Sequence, residues 1–507
     1  MKVQTEFPEL VFGLVGPIGV DMDAVERKLH DALISVGYKT TTIRLTDLMR
    51  QVAVDGPEIS DDGNQVEQYK SRISYANSVR ERCDNDAALA GLAIADIKRK
   101  RSAGQNSGSS SAPEELTPPI ERMAYILRQL KRSEEVELLR KVYGRKFIQI
   151  SVHAAEDFRR TNLINLFSRG NSILSREECE VAADELIEID MNERTDLHGQ
   201  RIEEVFHLGD AFIDGRREDY IERSIRRFIE AFFGKNSISP TRDEYGAYIA
   251  ASAALRSIDL SRQVGAAIFS SEGEIISLGC NEVPKYKGGT YWEDSEEKHR
   301  DFDDRTDSNR VEKNRIIFDF LKKLEAIGVL GEDSERIFEG EDFKLAVKSA
   351  LISDITEFGR MTHAEMTALC DAARLGRATK DATIFVTTFP CHNCAKHIIA
   401  SGISRVVFIE PYPKSKALSL HQDSIILDSR EGERVCFTHF VGISPRRYRD
   451  IFEKKSRKQS DGKIIEWYWG VPSPMIEDKS SSYLYNEDSA VFSSLSLVAE
   501  EMNIIVY

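Results

Sequence analysis

The first ten strongly patterned residues, LVFGLVGPIG (10–19), carry no polar interruption and read as a buried strand that ends in a glycine turn. In the stretch that follows, Met22, Val25, Leu29, Leu33 and Ile34 recur at helical spacing, and KTTTIRL (39–45) returns to strand character. Strand, glycine turn, helix and strand in that order predict a βαβ unit and a parallel sheet. Farther on, ERMAYILRQLKRSEEVELLRKVYG (121–144) reads as helical, KFIQISV (146–152) as a strand and AAEDFRRTNLINLFSRG (154–170) as a helix. YIERSIRRFIEAFFGKN (220–236) reads as the last helix of a first domain, and SISPTRDE (237–244) as a linker. Between these elements RSAGQNSGSSSAPEELTPP (101–119) is rich in Ser, Gly and Pro without apolar periodicity, which predicts a flexible surface insert.

A second series of alternating patterns begins near Tyr245. YGAYIAASAALRS (245–257) is helical, and QVGAAIFSS (263–271) with EIISLGCNE (274–282) reads as a hairpin. Residues 293–360 form a charged, partly helical insertion. Then come helix HAEMTALCDAARLG (363–376), strand ATIFVTTF (382–389), helix CHNCAKHIIASGI (391–403) and strand RVVFIEPY (405–412). Ala395, Ile398 and Ile399 share the face of their helix that would lie on a sheet. The tail mixes aromatic and polar residues without a legible period. The pattern predicts an α/β chain with domains at 1–235 and 236–445 and an extension at 446–507.

Composition narrows the function classes. A chain of 507 residues with 41% hydrophobic and 30% charged positions is ordinary for a globular protein, and no apolar run approaches the ~20 residues of a membrane span. Seven scattered cysteines, with Glu6 and Glu9 and one lysine near the start, predict a reducing cytoplasm rather than a disulfide framework behind a leader. A net charge of −15 disfavours a general nucleic-acid binder, although small anions need only a few local Lys or Arg.

The candidate chemistry lies in THAEM (362–366) and FPCHNC (389–394). His363, Cys391 and Cys394 supply three N and S donors of the kind Zn2+ prefers, leaving a fourth position for water. His363 and Cys391 both fall at predicted helix starts, where unsatisfied N–H groups favour a thiolate. Glu365, two residues past His363, sits beside such an ion without ligating it, suited to carrying a proton. A lone Cys-x-x-Cys is usually structural zinc or a redox pair; His-x-Glu followed by Pro-Cys-x-x-Cys is the signature of the zinc nucleobase deaminases. Cys370 lies ~10 Å along the helix from His363, too far to join. His392 and His397 read as helix-surface or packing residues, and Cys83, Cys179, Cys280 and Cys436 as small buried side chains.

At the other end, a phosphate-binding loop would read Gly-x4-Gly-Lys-Ser/Thr. GPIGVDMD (16–23) offers Gly16 and Gly19, but Asp21, Met22 and Asp23 stand where Gly, Lys and Ser would be. Phosphate would meet carboxylates instead of a lysine, so phosphoryl transfer is not expected. Either a degenerate scaffold or a sensor with altered ligands remains, and Arg128 or Arg140 could still build an anion site.

The stretches SRQVGAAIF, SLGCNEVP, HAEM, PCHNCAKHIIASGI and RVVFIEPYPKS resemble the deoxycytidylate deaminase branch of the cytidine deaminase superfamily over roughly 245–430. With TEFGRMTHAEM and PYPKSKALSLHQDSI, and a P-loop kinase-like domain in front, the whole is similar to bacterial anti-phage dCTP deaminases. The resemblance implies a three-layer α/β/α deaminase domain that binds zinc and converts dCTP and dCMP to dUTP and dUMP in antiviral defence. It implies that Asn281 contacts the sugar, and Arg262, Lys285 and Lys414 are candidates for the phosphates. Thr367 departs from the Asn of many relatives. Expected partners are deoxycytidine nucleotides, an inhibitory RNA or nucleotide, and further copies of the chain, with no membrane. Two alternatives stay open: a housekeeping dCMP deaminase supplying thymidylate synthesis, and a polynucleotide deaminase.

Overall fold

The structure is a computed structural model that describes residues 6–61, 64–105, 117–170, 174–193, 196–355, 357–429, 433–498 and 501. It divides into one unit of 1–244 with 441–507, and a second of 245–440. Each unit holds one six-stranded sheet.

In the first unit the strands are β1 (Leu10–Val15), β2 (Lys39–Arg44), β3 (Met123–Arg128), β4 (Phe147–His153) and β5 (Ala211–Asp214). They run parallel in the order β5-β4-β1-β3-β2. β1 is central because all six of its residues are buried, as a strand covered on both faces must be. Leu10, Phe12, Leu14, Ile148 and Ile150 pack with Val25, Leu29, Ile225, Phe228 and Phe232 from the helices Met22–Ser35 and Glu218–Phe232.

Two expectations are corrected here. The stretch 121–144 is not one helix: its first half is β3, and only Ser133–Tyr143 is helical. Ala124 to Leu127 are consecutive buried residues between β1 and β2, and a short apolar run of that kind has the same periodicity signal in a core strand as in a buried helix. The insert at 101–119 also begins later than its composition suggests. The helix Ala88–Gln105 runs through its first residues, and the Arg101 side chain is 2% exposed between Glu9 and Glu487. Residues 106–116 of that insert lie outside the described residues.

The tail returns to the first unit. Here β6 (Gly265–Phe269), β7 (Ile275–Cys280), β8 (Thr383–Thr388), β9 (Arg405–Glu410), β10 (Ile425–Leu427) and β11 (Val435–His439) belong to the second sheet, whereas β12 (Gly442–Ile443) pairs antiparallel with β5. Arg447 donates to Asp210 Oδ1 at 3.0 Å and to the Phe147 carbonyl at 2.7 Å. Glu244, within the expected linker, is buried and held by Arg227 at 2.6 and 2.8 Å.

The second sheet has the order β10-β11-β9-β8-β6-β7, parallel from β10 to β8 and antiparallel across β8, β6 and β7. The helix Ala364–Arg374 lies directly on β7: a Cβ at Gly279 would stand 2.1 Å from the Ala364 carbonyl oxygen. Backbone contact therefore sets the height of that helix's first turn. Ala395 and Ile398 of the helix His392–Ala400 are fully buried in the same core, with Ile399 packed at its edge. The insertion at 293–360 forms the helices Asp301–Asp304, Ser308–Ala326, Ser334–Glu339 and Glu341–Ser349. Among the described residues no helix is long and apolar enough to cross a membrane.

Candidate metal centre

His363 is the N-cap of the helix Ala364–Arg374, and Cys391 is the N-cap of the helix His392–Ala400, its sulfur accepting the Cys394 N–H at 3.4 Å. Both are held from behind. Thr362 exchanges backbone hydrogen bonds with Glu282, just past β7, at 3.1 and 3.2 Å. β8 ends at Thr388, so Phe389 and Pro390 deliver Cys391 from the middle of the sheet. The two helix starts thus point at one place.

There His363 Nδ1 stands 3.4 Å from Cys391 Sγ and 3.4 Å from Cys394 Sγ, and the three donor atoms lie within 4.8 Å of one another. A tetrahedral zinc ion with bonds of about 2.3 Å to sulfur and 2.05 Å to nitrogen sets such atoms ~3.6 Å apart. The donor set and its spacing fit zinc. Cys394 is buried, and His363 and Cys391 are partly open. Glu365 is 4% exposed, and its carboxyl interacts electrostatically with Cys391, His363 and Cys394.

The three donors share their protons closely. Hydrogen bonds from the Cys394 thiol and then from His363 pull the Cys391 thiol down to about 4, while the same bond to Cys391, with burial, pushes Cys394 up. The hydrogen bond to Cys391 raises His363 to about 9. Burial pushes the Glu365 carboxyl above its ordinary range, and the neighbouring Cys391 adds to that.

Around this centre the other candidates sort differently. Asn281 is 6% exposed and spends its side chain on backbone: Nδ2 donates to the Arg262 carbonyl at 2.8 Å and Oδ1 accepts the Val264 N–H at 2.7 Å. Its own carbonyl accepts from Ser257 Oγ at 2.8 Å, so it fixes the 257–264 loop. Arg262 pairs with Glu410 Oε1 at 2.8 Å and lies 5.1 Å from the Tyr412 ring. Glu410 closes β9 opposite Thr388, which places Arg262 over the strand ends that lead to Cys391. Ser415, next to Lys414, donates to the Pro390 carbonyl at 2.8 Å, bringing that lysine's loop to the same end of the sheet. Lys285 is exposed in a turn whose N–H bonds to Gly289. Cys370 is exposed, His397 is exposed, and His392 is partly open with Nε2 3.9 Å from Glu357. Cys83, Cys179, Cys280 and Cys436 are buried.

Sequence reading passed over Glu410 and the Glu282–Thr362 bridge. A charged residue closing the apolar strand RVVFIE was a signal for Glu410; the bridge joins residues far apart in the chain and had none.

At the degenerate loop, Asp21 caps the helix Met22–Ser35 by accepting the Ala24 N–H at 2.9 Å. Met22 is buried, its sulfur filling the space a Cβ on Gly16 would need. Asp23 bonds to Arg128, which also reaches Glu26 at 3.0 Å. Arg140 is 3.7 Å from Asp210, and burial lowers its pKa to about 10.

Comparison with known proteins places residues 240–410 in the cytidine and deoxycytidylate deaminase zinc-binding region. Among individual proteins, the deoxycytidylate deaminase of Enterobacteria phage T2 is 48% identical over 54 residues, 11% of this chain and 29% of that protein. ComE operon protein 2 of Bacillus subtilis (strain 168) is 33% identical over 90 residues, 15% of this chain and 48% of that protein. The deoxycytidylate deaminase of Pongo abelii is 25% identical over 166 residues, covering 33% and 63%. The chain thus spans less than two thirds of each of these relatives. A solved dCMP deaminase of cyanophage S-TIM5 in complex with dCMP and dUMP is 16% identical, covers 40% of this chain and 98% of its own, and superposes with a TM-score of 0.23.

Proposed function

We propose that residues 245–440 form a zinc-dependent hydrolytic deaminase of deoxycytidine nucleotides, converting dCMP and dCTP to dUMP and dUTP with release of ammonia. His363, Cys391 and Cys394 are the zinc ligands in this reading. When bound, zinc supplies a Lewis acid that makes hydroxide available near neutral pH. Glu365 carries the protons: its carboxylate takes one from the attacking water and delivers it to the ring nitrogen, then takes a second from the new C4 hydroxyl and passes it to the amino group, which leaves as ammonia as the C4–N bond breaks. Its burial suits the task, because a carboxyl raised toward neutrality both accepts and returns a proton.

One observation carries the reading: a buried carboxyl is set against the donor triad, and a purely structural zinc site has no need of it. Arg262 and Lys414 suit the phosphates. The tie of Arg262 to Glu410 is an exposed pair of about 0–1 kcal/mol, readily exchanged for a substrate anion.

The first unit, in this reading, is a P-loop kinase-like scaffold that transfers no phosphate. Its parallel order with β1 between β3 and β4, and a glycine loop leading into a helix, support the kinship; Asp21, Met22 and Asp23 support the loss of activity. The role we infer is depletion of deoxycytidine nucleotides during phage infection. A dCMP-only enzyme is the second reading, favoured by the names of the phage relatives. Incubating the purified protein with dCTP, dCMP, CTP and cytidine, and following ammonia and uracil products, decides between them. Turnover of dCTP supports depletion, dCMP alone supports the second reading, and no turnover of either rejects both.

A further inference from the structure

The glycine loop after β1 is bonded at four of its backbone atoms by side chains of its own unit, and the engagement has a sign. Ile18 N–H donates to Asp190 Oδ2 at 2.7 Å, a buried bond to a residue of the helix Arg176–Asn192. The other carboxylate oxygen of Asp190 takes Lys131 Nζ at 2.5 Å, and the same ammonium donates to the Gly16 carbonyl at 3.1 Å. Gln129 also donates to Gly16, Asn162 Nδ2 donates to the Gly19 carbonyl at 3.0 Å, and Arg159 Nη1 reaches the Ile18 carbonyl at 3.4 Å. Gly19 itself holds φ at +92°, where a Cβ would stand 2.6 Å from the Arg159 carbonyl oxygen. The loop is built tightly around these contacts.

Its charge balance points to an anion. Lys131 is 16% exposed and Arg159 5%, while the Asp190 side chain is 2% exposed and lies between the loop amide and the lysine. The carboxylate nearest Arg159 in an ion pair is that of Glu156, 3.9 Å away and 70% exposed. One largely buried cation, Lys131, and a loop N–H therefore converge on a single buried carboxylate, with Arg159 donating to the Ile18 carbonyl beside them, the arrangement that backbone loops ahead of helices offer to anions.

We propose that the 16–21 loop is an anion seat whose resident ligand is the chain's own Asp190 carboxylate, which closes it to nucleotide phosphate. The lysine absent from the loop's own sequence is replaced in space by Lys131, arriving from the segment after β3, but the charge it meets is internal. Asp21 completes the closure by occupying the adjacent helix N-terminus. The seat then serves to latch the Arg176–Asn192 helix onto the end of β1. This holds whatever reaction the 245–440 unit performs.

Hydrogen exchange on the full-length protein, read on peptides spanning 16–22, tests it with inorganic pyrophosphate as the probe. Wild-type exchange should be unchanged by millimolar pyrophosphate. In Asp190→Asn and Asp190→Ala the loop should exchange at least about tenfold faster, and pyrophosphate should restore protection in Asp190→Ala. Protection of the wild-type loop by pyrophosphate overturns the closure, and that arm needs no variant to fold. An Asp190→Ala loop that exchanges at the wild-type rate, or that pyrophosphate fails to protect, overturns the seat.

Discussion

Asn281 Oδ1 accepts the backbone N–H of Val264 at 2.7 Å, and the opposite end of the same amide holds the Arg262 carbonyl. The residue expected to touch a sugar is thus tied to the loop that aims a guanidinium. Asn281→Ala should raise KM for dCMP roughly tenfold, with a smaller change in kcat, since two buried hydrogen bonds are worth about 1–3 kcal/mol. In an Arg262→Ala background the effect should largely vanish, which a double-mutant cycle measures. If Asn281→Ala costs as much without Arg262, and the cost disappears for a substrate lacking the 3′-hydroxyl, the residue contacts sugar directly.

Glu365→Gln keeps the size and burial of the side chain but cannot carry a proton. Zinc content should stay at the wild-type level while kcat falls by about 10²–10⁴. Elemental analysis alongside an ammonia-release assay checks both halves. Full activity in a zinc-loaded Glu365→Gln protein would falsify the proton-carrier role.

Zinc uptake by chelator-stripped protein should tighten with rising pH. Ligation needs neutral His363, raised to about 9, and ionised Cys394, raised by its bond to Cys391, whereas Cys391 at about 4 is already a thiolate. Below pH 9 the ion must displace protons, so affinity should rise about ten- to a hundredfold per pH unit. Competition against a zinc-sensitive dye at several pH values reads this directly, and a flat profile rules it out. Cys391→Ser or Cys394→Ser should lose the metal outright.

Arg101 forms a closed buried network with Glu9 at 2.9 Å and Glu487 at 2.8 Å, joined by the hydroxyls of Tyr483 and Tyr143. Arg101→Met strands two carboxylates in a dry site and should cost about 3–5 kcal/mol. Urea unfolding followed through Trp467 and Trp469, both in the same unit, measures the loss. Adding Glu487→Gln should recover part of it; a stability unchanged by Arg101→Met contradicts the network's role.

Much of this was legible in the chain before any fold. The apolar run at 10–15, the helical spacing from Met22 and the alternating strands and helices from 245 to 410 give their elements locally, because period alone separates helix from strand when the run is long or flanked by glycine. His363, Glu365, Cys391 and Cys394 were legible as a set because short motifs at helix starts fix which donors can share a turn. β3 was not legible, since a short run buried on both faces has no period to read. Arg101 was hidden by its neighbourhood: serine and glycine predict a loop, while the partners that bury it sit at positions 9 and 487.

By itself the sequence determined the chemistry on offer: a sulfur and nitrogen donor set, a carboxyl beside it, and a glycine loop without its lysine. Tertiary structure alone decided how those groups are employed. It turned the Asn281 amide onto backbone, brought Lys131 and Asp190 to the loop that lacked a cation, and folded the tail back onto the first sheet. The reason is physical: residue type and local spacing set what a side chain can bond. Which buried donor or acceptor it must satisfy depends on segments that meet only after the chain has packed.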